Sequence, residues 1–308
     1  MMIALLILPL LVPFALPALA RRALDRLSPA AALWTVTGSA VALAGCSLAA
    51  LGAFVLTGLL RLPFFASLGE LIRPLRFGSD RLVLPLAAVS AGAVALGTRR
   101  LVRTVLHQAR AFRAARAEAG RAAAGDLCVV DSPCPDAYAL PGRPHRIVVT
   151  TGMLRSLDGA EREALFAHER AHNAGGHHFF LAVAELAAHC HPALRRVRDV
   201  VRLAVERVAD EAAARAVGDR RLTARAIARA ALAGQGGGVE RPAFVPGVAS
   251  GPVPQRVEAL LAPRGRRRAG GWVAVLLVAG VGLSCAASVT GMADFHHRVE
   301  VAQGEAER

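Results

Sequence analysis

Residues 168 to 172 read His-Glu-Arg-Ala-His. On a helix, residues four apart leave the same face one turn apart, so the imidazoles of His168 and His172 can reach one Zn²⁺ together. Glu169 sits about 100° round the helix from His168, beside that ion rather than aimed at it. From there a carboxylate can take a proton from water activated by the metal. A second pair, Glu206 and Asp210, is again four apart and is flanked by Val205, Val208, Ala209, Ala212 and Ala213. Two carboxylates on the apolar side of an amphipathic helix are costly unless a cation or hydrogen-bond donors meet them. A helix carrying two metal-directed imidazoles is their natural partner.

These side chains need two helices and a frame that brings them together. Asp158 followed three residues later by Glu161 makes a capping pair at the start of the first helix, and Gly175 and Gly176 end it. Pro192 opens the second, which runs to Gly218. Ahead of both, 127–130 and 146–151 are short, β-branched and bounded by prolines and glycines, and predict two strands of a small sheet. The 14 residues 177–190 are apolar apart from Glu185 and too few to cross a bilayer, so they predict an interfacial or re-entrant piece. His177, His178, His189 and His191 then read as polar residues at its rim. The glycine run 234–238, with prolines at 242, 246, 252 and 254, predicts a flexible linker.

With 54% hydrophobic and 19% charged residues among 308, the chain is too apolar for two water-facing cores and predicts a membrane protein. Five scattered cysteines offer neither a disulfide framework nor a thiolate zinc knuckle. One tyrosine and two tryptophans leave little for a base-stacking surface, so the net charge of +14 is assigned to topology and no nucleic-acid partner is expected. Four charge-free runs, 1–20, 27–60, 82–98 and 270–289, are long enough to span. The second, 34 residues long, is read as one helix at about 31–60 with an interfacial extension. The first is read as an uncleaved span, because its arginines follow the apolar run. With the amino terminus outside, fourteen flanking arginines lie inside and six outside. The expected fold is mainly α. Three transmembrane helices fill 1–98, an α+β metal-binding domain occupies 99–265 in the cytoplasm, a fourth span covers about 270–290, and 291–308 form a short outer tail. The arginine-rich helix at 99–121 either lies along the inner leaflet or continues the third span.

The segment from Ala167 to His172, and the helix carrying Glu206 and Asp210, resemble the BlaR/MecR-type integral-membrane metallopeptidases, gluzincins related to the HtpX and CAAX-prenyl peptidases. The resemblance implies one zinc ion per chain held by His168, His172 and Glu206, with Glu169 as catalytic base and Asp210 orienting a ligand histidine from behind. It also implies that a strand at 146–151 lies beside the cleft and pairs with extended substrate. The family's best-known members carry a large sensor domain after the last span, where about 18 residues follow in these 308, so direct β-lactam sensing is not expected. The implied activity is membrane-bound zinc endopeptidase. Its expected protein substrate is a cytoplasmic repressor or the enzyme itself, and the lipid bilayer is its other partner. A membrane quality-control protease, or a non-catalytic zinc-binding regulator, is the alternative.

Overall fold

A computed structural model describes residues 2–68, 80–121, 123–235, 251–263 and 270–303. Outside them lie the glycine and proline-rich stretch 236–250, the arginine cluster at 264–268, and Arg73 and Arg76. Helices dominate. The amino-terminal half holds α1 (Met2–Leu11), α2 (Leu16–Arg26), α3 (Pro29–Leu59), α4 (Pro63–Leu68) and α5 (Asp80–Arg121). Four strands follow: β1 (Ala123–Ala124), β2 (Leu127–Val130), β3 (Ala137–Leu140) and β4 (Arg146–Thr150). The remaining helices are α6 (Thr151–Ser156), α7 (Gly159–Ala174), α8 (His177–Cys190), α9 (Leu194–Ala216), α10 (Arg220–Ala233), α11 (Val253–Leu261) and α12 (Gly271–Gln303).

Two of these, α3 and α12, are long and apolar enough to cross a membrane, and a third span results if the bent pair α1 and α2 is counted as one. The expected single helix at 1–20 is broken: a 3₁₀ turn at Val12–Phe14 joins two helices bent by 43°. Proline is the cause. Pro13 has no N–H to donate to Pro9 O, and Ser47 Oγ supplies that bond at 3.0 Å. His191 Nε2, just past the end of α8, donates to the neighbouring Leu10 O at 3.0 Å. The segment leading out of α8 is thus fastened to the break in the first apolar helix.

The long second run is one unbroken helix of 31 residues, about 46 Å at 1.5 Å per residue. The run 82–98 has no stop after it: α5 continues through the arginines for 42 residues, so 99–121 extends that helix. Arginine is a good helix former, and a change from apolar to charged residues alters the solvent, not the backbone. Likewise α12 does not stop near 290; residues 291–303 of the expected tail are helical.

The helices meet closely. A side chain at Gly58 of α3 would collide with Ala87 Cβ of α5. Cys46 of α3 and Cys285 of α12 place their Sγ atoms 3.5 Å apart. That contact gives a direct check on the packing of the two apolar helices. A thiol-specific oxidant should join the pair, since small side-chain rotations bring the sulfurs to bonding distance. The product should be a disulfide-linked peptide in a non-reducing digest that Cys46→Ser abolishes. Thiols that both remain open to alkylation after oxidation would show that α3 and α12 do not face each other here.

The sheet runs β1-β2-β4-β3, with β2 and β4 parallel and β3 antiparallel to β4. Alternation along β4 divides its side chains between two layers. Val148, in register with Cys128 and Tyr138, packs with Phe112, Ala115 and Ala119 of α5, while Val149 packs with Ala137, Met153 and Leu165. The strand expected to receive substrate, β4, lies between β2 and β3 and so has a neighbour on each edge. Among the described residues, the strand at the open edge next to β4 and near α7 is β3.

The expected helix start at Asp158 is present in full. Glu161 N donates to Asp158 Oδ1 at 2.9 Å and Asp158 N to Glu161 Oε2 at 3.1 Å. Glu161 also accepts from Arg225 at 3.0 Å and Arg229 at 2.8 Å, which locks the start of α7 to α10. The short apolar segment 177–190 is a helix packed on α3 and α9, with Trp34 and Phe180 edge to face at 4.8 Å. One apolar core joins Leu33, Val36 and Leu43 of α3 to Leu181 of α8 and Val197, Val201 and Val205 of α9.

Candidate metal centre

Helices α7 and α9 bring the predicted side chains to one point. His168 Nε2 and His172 Nε2 are 3.0 Å apart. Glu206 Oε2 is 3.5 Å from His168 Nε2, and Glu206 Oε1 is 3.8 Å from His172 Nε2. Among the described residues these three form the group able to hold a metal, with one ligand atom each inside 4.8 Å of the others. Ligand atoms about 2.0–2.2 Å from a common tetrahedral centre lie about 3.3–3.6 Å from one another, so the spacing and the N, N, O donor set suit Zn²⁺. Glu169 is completely buried on the same helix, one residue past His168.

The surroundings orient the ligands. His168 Nδ1 lies 3.0 Å from Asp210 Oδ1, close enough for that carboxylate to hold the ring by charge with Nε2 toward the other two candidate ligand atoms. His172 Nδ1 lies 2.9 Å from His177 Nδ1. For His172 Nε2 to offer a lone pair, its Nδ1 must carry the proton and donate to His177, which then holds its own proton on Nε2. His177 is therefore not a rim residue. Gly176, at φ 59, turns the chain back between α7 and α8, and a side chain at Gly175 would meet the His177 ring at 2.5 Å. That glycine pair was visible as a helix stop, but the return of the next histidine into the site was not.

The second unforeseen member is Arg256. It falls in the region read as a linker, yet α11 is a helix and Arg256 is fully buried. Its Nε and Nη2 donate to the two oxygens of Asp210 at 2.9 and 2.7 Å, and its Nη1 lies 3.0 Å from Glu206 Oε2. A planar guanidinium bridging two carboxylates fixes both at once.

The electrostatics follow from burial. Burial pushes the Glu206 carboxyl up, but Arg256 and the two histidines outweigh it and hold the pKa at about 2. Asp210 is held at about 2 against burial by its bonds to Arg256 and His168. Burial drives His172 well below its ordinary value and His177 down to about 4, so both are neutral. His168 goes the other way, raised to about 9, because Asp210 and Glu206 outweigh its burial. Three buried carboxyl groups facing one guanidinium draw positive charge inward, and in the absence of metal His168 supplies part of it as a proton. A divalent cation compensates the same excess and takes that proton's place.

The arrangement can therefore hold a Lewis acid on three side chains, with the buried Glu169 next in sequence to the first of them. The model for Peptidase family M48 matches residues 98–194, about a third of the chain, from the charged half of α5 through the sheet, α7 and α8. That stretch contains His168, Glu169, His172 and His177 and ends before Glu206 and Asp210. No curated protein and no solved structure gives a match. The family match supports a zinc-dependent metallopeptidase, and the apolar helices indicate membrane association.

Proposed function

We propose that the protein is a membrane-bound zinc endopeptidase in which His168, His172 and Glu206 hold the metal and Glu169 is the base. The observation that carries this reading is the convergence of two imidazole Nε2 atoms and a carboxylate, from residues more than thirty positions apart on two helices, on one ion-sized space. When bound, zinc lowers the pKa of water to about 7 and stabilises charge that develops on a carbonyl oxygen. Glu169 takes the proton released as water attacks the peptide carbonyl, and later returns it to the leaving amine. Asp210 and His177 hold the two histidine rings in the required tautomers. Arg256 holds Glu206 and Asp210 in place. An extended substrate would pair with β3, the edge strand beside α7, by main-chain hydrogen bonds.

The arginine distribution supports an amino terminus outside and a catalytic region facing the cytoplasm. The paired carboxylates on α9, together with the apolar helices before and after the site, are the features shared with the BlaR/MecR type. With both histidines, both glutamates and Asp210 buried, substrate reaches the site only after the protein opens. That favours restricted cleavage, of a cytoplasmic repressor or of the chain itself, over broad degradation of damaged membrane proteins.

Metal and substrate can be tested together. Purified protein in detergent should contain about one zinc ion per chain, lose peptide hydrolysis to a chelator and regain it with added zinc. Proteomes of cells with and without the active form should then differ in one or two cleaved proteins. Hydrolysis that survives complete removal of metal would end the zinc reading, and many cleaved membrane proteins would replace regulation by quality control.

A further inference from the structure

Between α2, α9 and α11 is a cleft of about 1220 Å³. Five guanidinium groups line it, Arg21, Arg22 and Arg26 from α2 and Arg196 and Arg207 from α9, against the carboxylates of Asp25, Asp199 and Glu258. The charges do not neutralise one another. Among the described residues none of the five arginines makes an ion pair, and Asp199 turns instead to Arg198, 3.5 Å away. Arg207 donates to Leu24 O through Nη1 at 2.7 Å, while its Nε is buried with no acceptor among the described residues. A buried donor left open in this way is costly unless something accepts from it.

The position of the cleft identifies the chemistry of its occupant. Helix α3 begins three residues after Arg26, and Gly270, at the start of α12, lies against the Arg26 backbone. The Arg26 guanidinium sits 5.8 Å from the ring centroid of Trp272. The cleft therefore opens where two membrane-length helices begin, and the ends of helices that cross a bilayer lie among its phospholipid headgroups. From there α12 presents Val275 and Val278, 65% and 68% exposed, along its outer side. A cationic cavity next to an apolar surface matches a molecule with a phosphate at one end and hydrocarbon at the other. Arginine's planar fork is suited to phosphate oxygens.

We propose that this cleft binds the headgroup of an anionic phospholipid of the inner leaflet, with its phosphate among Arg22, Arg196 and Arg207 and its acyl chains along α12. The site is built from three walls, so the lipid bridges α2 and α9 beside α11. Gln255 and Glu258 face the cleft on the helix whose Arg256 reaches through to Asp210 and Glu206. Occupancy therefore braces the helix that carries the arginine of the metal centre.

Binding can be read without catalysis, so it stands apart from the peptidase reading. The full chain in detergent is titrated with phosphatidylglycerol, with phosphatidylcholine and with inorganic phosphate, and bound ligand is measured by native mass spectrometry. Phosphatidylglycerol should bind at least about tenfold more tightly than phosphatidylcholine, and more weakly as salt rises. The Arg22→Gln, Arg196→Gln double variant should lose about tenfold or more of that affinity. Arg110→Gln with Arg113→Gln, two arginines on α5 away from the cleft, should leave affinity unchanged and so exclude a general charge effect. Equal binding of the two lipids, or equal losses in both double variants, overturns the proposal. So does inorganic phosphate binding as tightly as phosphatidylglycerol, which would make this a site for free anions. An acidic peptide that displaces phosphatidylglycerol at equal concentration and is lost in the same variant would make it a protein-docking surface instead.

Discussion

Glu169→Gln protein should retain about one zinc ion per chain and hydrolyse peptides at a rate lower by about 10³-fold or more. The substitution keeps the size and shape of the side chain and touches none of the atoms placed to hold metal, which come from His168, His172 and Glu206. It removes the carboxylate proposed to accept and return a proton. Metal content by elemental analysis and cleavage of a fluorogenic peptide check the two halves separately. His168→Ala, in contrast, should lose both, because it deletes a ligand atom and leaves Asp210 without its 3.0 Å partner. A glutamine variant that cleaves at the wild-type rate would remove Glu169 from the mechanism while leaving the metal site standing.

The difference between what the sequence conveys and what only the fold reveals follows from the range of the interactions. His168 with His172, and Glu206 with Asp210, are four apart on helices, so their shared faces follow from helix geometry alone. The Asp158–Glu161 cap is equally local, and both hydrogen bonds form. Arg256 was not legible because its partners lie 46 and 50 residues earlier and its segment is rich in proline and glycine. Pro252 and Pro254 read as loop residues, yet Pro254 sits in the first turn of α11, where a missing N–H is harmless. His177 was hidden for a similar reason, since only the left-handed turn at Gly176 returns its ring to His172. The strand β3 reads Ala-Tyr-Ala-Leu, with no β-branched residue, and is held by its register against β4. The bend at Pro13 was present in the sequence as a helix-breaking residue inside an apolar run, and apolarity alone concealed it.

Arg256→Met should destabilise the metal-free protein by about 3–5 kcal/mol, the cost of leaving buried carboxylates without their cation. Methionine has similar length and fits an apolar gap, so the loss reports charge and hydrogen bonding more than a cavity. In the wild type, Glu206 and Asp210 are both held ionised by Arg256, whose own protonated form they stabilise in turn. Without it, zinc and the proton on His168 become the remaining sources of positive charge in the site. The rise in melting temperature on adding zinc should therefore be larger in Arg256→Met than in the wild type. Catalysis should still fall by about 10–100-fold with zinc bound, because Asp210 no longer has the fork that aims it at His168. Arg256→Lys should recover most of the stability and less of the rate, since an ammonium group restores the charge but cannot reach both Asp210 oxygens and Glu206 in one plane. Thermal melts with and without zinc, run beside cleavage assays, separate these effects. A methionine variant as stable as the wild type without metal would mean that the carboxylates take up protons instead, and that the guanidinium does not set the charge of the site.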